Sequence, residues 1–129
     1  MILKDRTEIE NRIKGITAEN NERIVNIEEK DIEPLLLCNE LALIEAEAED
    51  MANLAVSVLK DIKEIDCSNS KNVILTISCS RSYGLSMVDM EKLSCVMHSF
   101  NEGTELMWGV SYNNIMPMNK VKVSLVVGK

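Results

Sequence analysis

Few side chains in this sequence could do nucleophilic, acid–base or ligand chemistry, and they are scattered. There is one histidine, His98, and there are four cysteines, Cys38, Cys67, Cys79 and Cys95. Cys95 precedes His98 by three positions. On a helix the two share a side and could form a dyad in which the imidazole takes the thiol proton. No second histidine completes a metal site, and no two cysteines have Cys-x-x-Cys spacing. His98 reads as structural. The cysteines, set among apolar neighbours, read as buried reduced thiols in a reducing compartment. Glu45, Glu47, Glu49 and Asp50 could offer oxygen ligands to a divalent cation, but they lack the Gly and Asn/Asp spacing of a calcium loop and read as a solvated face. Ser86 has no base near it in sequence and reads as a helix cap. Gly15, Gly84, Gly103, Gly109 and Gly128 do not cluster, so no glycine-rich cradle for a phosphate can be drawn. The expectation is a chain with no cofactor, no metal and no catalytic centre of its own.

Composition narrows the partners. A formal net charge of −7 repels phosphate backbones and anionic lipid alike, so neither nucleic acid nor a membrane surface is expected as a partner. No apolar run reaches the roughly 18 residues of a membrane span. Residues 1–6 lack the apolar core of a secretory signal, and a cytoplasmic location is expected. Aromatics make up only 3% of the chain, so the core must be aliphatic, with methionines filling gaps. Met87, Met90, Met97, Met107, Met116 and Met118 read as core rather than as an adaptable binding surface. At 129 residues the chain is the size of one domain.

The elements that must position these residues follow from periodicity. Ile9, Ile13 and Ile16 predict a helix over 5–16, followed by a polar loop over 17–22. Asp31 is placed to cap a short helix running through Cys38, with Pro34 in its first turn. Residues 41–62 carry two signals. Leu41, Ile44, Ala48, Met51, Ala55, Val58 and Ile62 have helical spacing, whereas residues 44–49 alternate as a strand would. Residues 72–79 form a strand with apolar residues on both faces, as an interior strand has. Ser86 starts a helix, with Asp89 at its third position and the stripe Met90, Leu93, Met97 and Phe100. Leu106, Trp108, Val110 and Tyr112 make a strand, and so do Val121, Val123, Leu125 and Val127. The simplest connection of these last two is a hairpin, with Lys120 and Lys122 facing water.

This order has the pattern of a known family. Residues 65–77, the helix from Leu85 to Phe100, the strand Glu105–Ser111 with its internal glycine, and the final strand Val121–Gly128 resemble in order and spacing the C-terminal half of the bacterial division GTPase FtsZ. A shorter match is Asn26-Ile27-Glu28-Glu29-Lys30-Asp31, which resembles the family's synergy loop, Asn-x-Asp-x-x-Asp, with Glu28 at the position of the first Asp. The resemblance resolves the ambiguous stretch as a strand over 40–47 followed by a helix over 49–62. It implies an α/β (α+β) domain in which a mixed four-stranded sheet carries two packed helices, with 1–39 a helical segment bearing the synergy-like loop and 40–129 the sheet-and-helix core.

In the family this loop enters the nucleotide site of the next subunit, where its carboxylates help position the water that attacks GTP. A carboxylate suits that task because it accepts hydrogen bonds from the water and orients it for in-line attack. The family's glycine-rich phosphate loop has no counterpart here. The resemblance therefore implies a non-catalytic interaction module, with Asn26, Glu28 and Asp31 as the interaction residues and an FtsZ-type GTPase as the partner. The plainer reading of Glu28 and Asp31 is a solvated acidic loop and a helix cap. Two alternatives stand beside the module: a homo-oligomer pairing through Ile9, Ile13 and Ile16, and a small-molecule-binding domain unrelated to division.

Overall fold

Helical and strand periods alternate along the chain, and the longer elements follow them. A computed structural model describes residues 2–18, 22–25, 29–65, 69–80, 83, 85–100, 102–112 and 119–129. The elements are β1 (Ile2–Leu3), α1 (Arg6–Ala18), β2 (Glu22–Val25), α2 (Glu29–Leu36), β3 (Leu41–Ala48), α3 (Met51–Glu64), β4 (Asn72–Cys79), α4 (Met87–Met97), β5 (Glu105–Tyr112) and β6 (Val121–Gly128). The strands form one mixed sheet in the order β1-β3-β6-β4-β5-β2. The four strands expected from the sequence are its body. Two short strands, β1 and β2, pair antiparallel with β3 and β5 and extend it to six.

The disputed stretch at 41–48 is a strand. Ala and Glu are poor strand formers, yet β3 pairs with β6 at every one of its positions, from Leu41 opposite Gly128 to Ala48 opposite Val121. Its acids are paired with cations as well. Glu45 takes an ion pair from Arg12 of α1, and Glu47 lies 3.6 Å from Lys120. Asp50 then caps α3, accepting a hydrogen bond from the Asn53 backbone N–H at 2.8 Å.

The expected hairpin between the last two strands is not formed. β5 pairs parallel with β4, to which α4 connects it, and β6 lies antiparallel between β3 and β4. The physical reason is burial. Val121, Val123, Leu125, Val126 and Val127 are all essentially inaccessible, which suits the middle of a sheet covered on both sides and not an edge. The lysine face is accordingly not open to water along its length: Lys122 and Ser124 are half-buried, and Val126 on the same face is covered.

Each sheet face has its own core. On one face, α3 and α4 bring Leu54, Val58, Ile62, Leu93 and Val96 onto Ile44, Val73, Leu75, Ile77, Val123 and Leu125. On the other, α1 and α2 bring Ile9, Ile13, Ile32 and Leu35 onto Leu41, Leu43, Ile74 and Val126. Each fully buried Leu or Ile contributes about 1.5–3 kcal/mol. Ile9 and Ile13 are therefore spent inside the chain and offer nothing to a second copy; the side chain of Ile16 lies outside the described residues. Ser86 and Asp89 close a reciprocal capping box at the start of α4 (3.2 Å and 3.1 Å). Leu93 and Phe100 of the expected stripe are buried, and Met90 and Met97 pack against them from the rim.

Candidate functional site

Of the three synergy-like residues, the structure places one. Asn26 and Glu28 lie outside the described residues. Asp31 sits half-buried in the first turn of α2. The helix begins three residues earlier than a cap at Asp31 requires, so Asp31 is inside it, where a carboxylate still favours the positive end of the helix dipole. For the same reason Pro34 falls beyond the first turn, in the helix interior, where its ring removes one backbone N–H. The helix tolerates this because it is short and fastened at three points.

The first is its apolar stripe: Ile32, Leu35 and Cys38 are buried on the sheet. The second is a close approach to β6. A Cβ on Gly128 would meet Cys38 Sγ at 2.7 Å and Leu35 Cδ1 at 2.8 Å, so only glycine leaves α2 room to lie this near the strand. The third is Arg6 of α1. Its guanidinium donates from Nη2 to the Leu36 carbonyl (2.6 Å) and from Nη1 to the Cys38 carbonyl (2.6 Å) and the Asn39 carbonyl (3.2 Å). It also pairs with Glu10 at 2.8 Å. Carbonyls at a helix C-terminus have no partner within the helix, and a cation there also favours the dipole. Sequence reasoning missed Arg6, since nothing local marks an arginine whose partners lie 30 residues away. Gly128 did carry a signal, a lone glycine closing an apolar strand.

The far side of α2 is open. Lys30, Glu33, Pro34 and Leu37 are exposed, and Leu37, an apolar residue, is 85% accessible. Beside it runs a groove of about 480 Å³ between Pro34, Ser70–Asn72, Glu102, Gly103 and Glu105. Asp31 thus belongs to a rigidly held helix whose outer side is available to another molecule.

The remaining candidates are dispersed. Glu45, Glu47 and Asp50 are engaged by Arg12, Lys120 and Asn53 as described. Among the described residues no group of three or more His, Cys, Asp and Glu is disposed to hold a metal ion. His98 is exposed at the end of α4, with Nδ1 3.4 Å from Ser94 Oγ. Cys38 and Cys79 are buried, whereas Cys95 is exposed, which corrects the expectation of buried thiols throughout; Cys67 lies outside the described residues. Cys95 is outward because Leu93 and Val96 occupy the buried side of α4. Burial pushes the Cys79 thiol up from its ordinary value. The Tyr83 hydroxyl is pushed up too, by burial first and then by the charges of Asp89, Asp50 and Cys79. No helix among the described residues is long and apolar enough to cross a membrane.

No protein-family model matches the sequence, and no curated protein matches it either. Solved structures do. An empty FtsZ dimer from M. jannaschii is similar with a TM-score of 0.73 over 91% of this chain, at 12% sequence identity. The match covers 34% of the FtsZ chain, so this chain spans about a third of that protein's length. The fold is FtsZ-like, a mixed sheet with helices on both faces.

Proposed function

We propose that this domain is an FtsZ-like, non-catalytic interaction module that docks on an FtsZ-type GTPase and caps or modulates its filament. The observation that carries this reading is the acidic motif of residues 26–31 running into α2, on a chain whose fold is similar to part of an FtsZ subunit. A helix fastened by Arg6, Gly128 and its buried stripe can present Asp31 in a preformed position, which lowers the ordering cost of binding. Asn26, Glu28 and Asp31 are the contact residues in this reading; Lys30 and Glu33 of α2, and Leu37 just after it, are exposed. Glu28, one methylene longer than the aspartate of the family motif, displaces its carboxylate by about an ångström, a shift that can cost roughly 100-fold in rate where geometry is critical. We therefore assign the loop to binding, and hydrolysis of GTP to the partner alone.

The test is to add the purified protein to full-length FtsZ from the same cell with GTP, following sedimentation and phosphate release. A dose-dependent change in either, abolished by Asp31→Ala, supports the reading. Unchanged polymer mass and unchanged phosphate release sink it.

A further inference from the structure

At the end of the sheet where β3 begins and β6 stops, the surface holds a hollow of about 430 Å³, and each residue lining it lies among the described ones. That volume suits a small molecule. Its floor is apolar: Ala42 and Val127 are opposite each other in the β3–β6 ladder, and Ile65, the C-cap of α3, lines the same floor. Its rim is polar. Lys4 leads from β1 into α1, Asn39 and Glu40 lead from α2 into β3, and all three are exposed. Among the described residues none of these three side chains has a hydrogen-bond or ion-pair partner. Lys4 and Glu40 thus line one cavity with opposite charges that do not meet. Arg6 and Lys129 also border it, but both are engaged within the chain. The segment carrying Asn39 and Glu40 is held in place. Both backbone N–H groups donate to the Lys129 carbonyl (2.8 Å and 3.4 Å), and the Glu40 carbonyl accepts from the Lys129 N–H at 3.0 Å.

We propose that this hollow binds a free α-amino acid with an aliphatic side chain. The choice of ligand follows from the two unmet charges. A simple anion would satisfy Lys4 but would face Glu40 and a chain of net charge −7. A simple cation would satisfy Glu40 and face Lys4. A zwitterion satisfies both, bridges the gap between them and carries no net charge. The α-carboxylate accepts hydrogen bonds from the Lys4 ammonium and the Asn39 amide, and the α-ammonium donates to the Glu40 carboxylate. The side chain leaves the same carbon toward Ala42, Ile65 and Val127, a floor that covers an aliphatic group and offers no partner to a polar one. Because the backbone at Asn39 and Glu40 is already fixed, less ordering is needed when the ligand arrives. The site is independent of the acidic loop and of any GTPase.

The experiment is an NMR titration of the purified, isotope-labelled chain alone with leucine up to about 20 mM, a range suited to so small a ligand. The backbone amides of Asn39, Glu40, Ala42 and Val127 are the reporters. Two analogues each lack one charge: isocaproate has no ammonium and isoamylamine has no carboxylate. The expected result is a saturable shift with leucine, and binding of glycine about tenfold weaker because it leaves the floor uncovered. Lys4→Met is expected to weaken leucine by about fivefold or more but not isoamylamine. Glu40→Gln is expected to weaken leucine to a similar extent but not isocaproate. Both positions are exposed, and the spectra of the two variants show that they fold. No saturable shift with leucine, or leucine binding that either variant leaves unchanged, overturns the proposal. Variants that each weaken the wrong analogue overturn the placement of the two charges. Glycylleucine bound more tightly than leucine overturns the assignment to a single amino acid.

Discussion

Gly128 and Cys38 are packed so closely that a single added methyl on the glycine would stand 2.7 Å from the cysteine sulfur. The two residues join β6 to the end of α2, and through it to Asp31. Gly128→Ala should force the Cys38 and Leu35 side chains aside or lift α2 from the sheet, at a cost of about 1–3 kcal/mol. Urea unfolding of the variant against wild type measures this. If docking on a GTPase depends on the placement of α2, the same substitution should weaken it without touching an acidic residue.

Arg6 should matter more than its position on an N-terminal surface helix suggests. Removing its guanidinium leaves the Leu36 and Cys38 carbonyls without their donor. Arg6→Ala should cost about 1–2 kcal/mol, the lower part of the range for charge-assisted bonds because the site is partly exposed. Arg6→Lys should recover little of it, since one ammonium cannot span the carbonyls a planar fork reaches. Denaturation midpoints of the two variants would be nearly equal.

Ser80 offers the opposite sign. Its hydroxyl is buried at the end of β4, without a hydrogen-bond partner among the described residues. Its desolvation is uncompensated, so Ser80→Ala should leave stability unchanged or raise it by up to about 1 kcal/mol. A loss of stability in thermal unfolding would show that the hydroxyl has a use the packing does not reveal.

The alkaline limb of stability follows from two raised acids. In the folded chain Cys79 and Tyr83 both hold their protons to higher pH than their ordinary values of 9.0 and 10.0. Above those values the unfolded chain releases protons that the folded chain keeps, so unfolding is favoured as pH rises. Their contribution is fully present below about pH 9 and is lost progressively above it. Unfolding midpoints measured from pH 7 to 11 should decline above pH 9, and Cys79→Ala should flatten the first part of the decline.

The chain announced its long elements and concealed its short ones. β4, β5 and β6 each have eight residues, enough to display alternation, and the Ser86 cap is readable from a serine and an aspartate three apart. β1 and β2 have two and four residues, too few to show a period. β3 was readable only with the help of the resemblance, because the pairing partners that overrule its Ala–Glu composition lie some 80 residues on. The order of strands was beyond local reading: adjacency in sequence favours a hairpin between β5 and β6, and only burial on both faces of β6 sends it to the centre. In the candidate site Asp31 was legible as an acid at a helix start. The clamp from Arg6 was not, being a contact between segments with no shared pattern.

The central place of β6 also dictates when the sheet can exist. β3 and β4 flank it and share no ladder with each other. As the chain leaves the ribosome, β1 with β3 and β4 with β5 can pair early, but they remain separate half-sheets with bare inner edges until Val121–Gly128 emerges and joins them. The domain is therefore completed by its final eight-residue strand, in one late step of long-range pairing, which is the slow and aggregation-exposed kind. Nascent chains arrested before Val121 should remain open to protease along β3 and β4, and protection should appear abruptly once β6 is released.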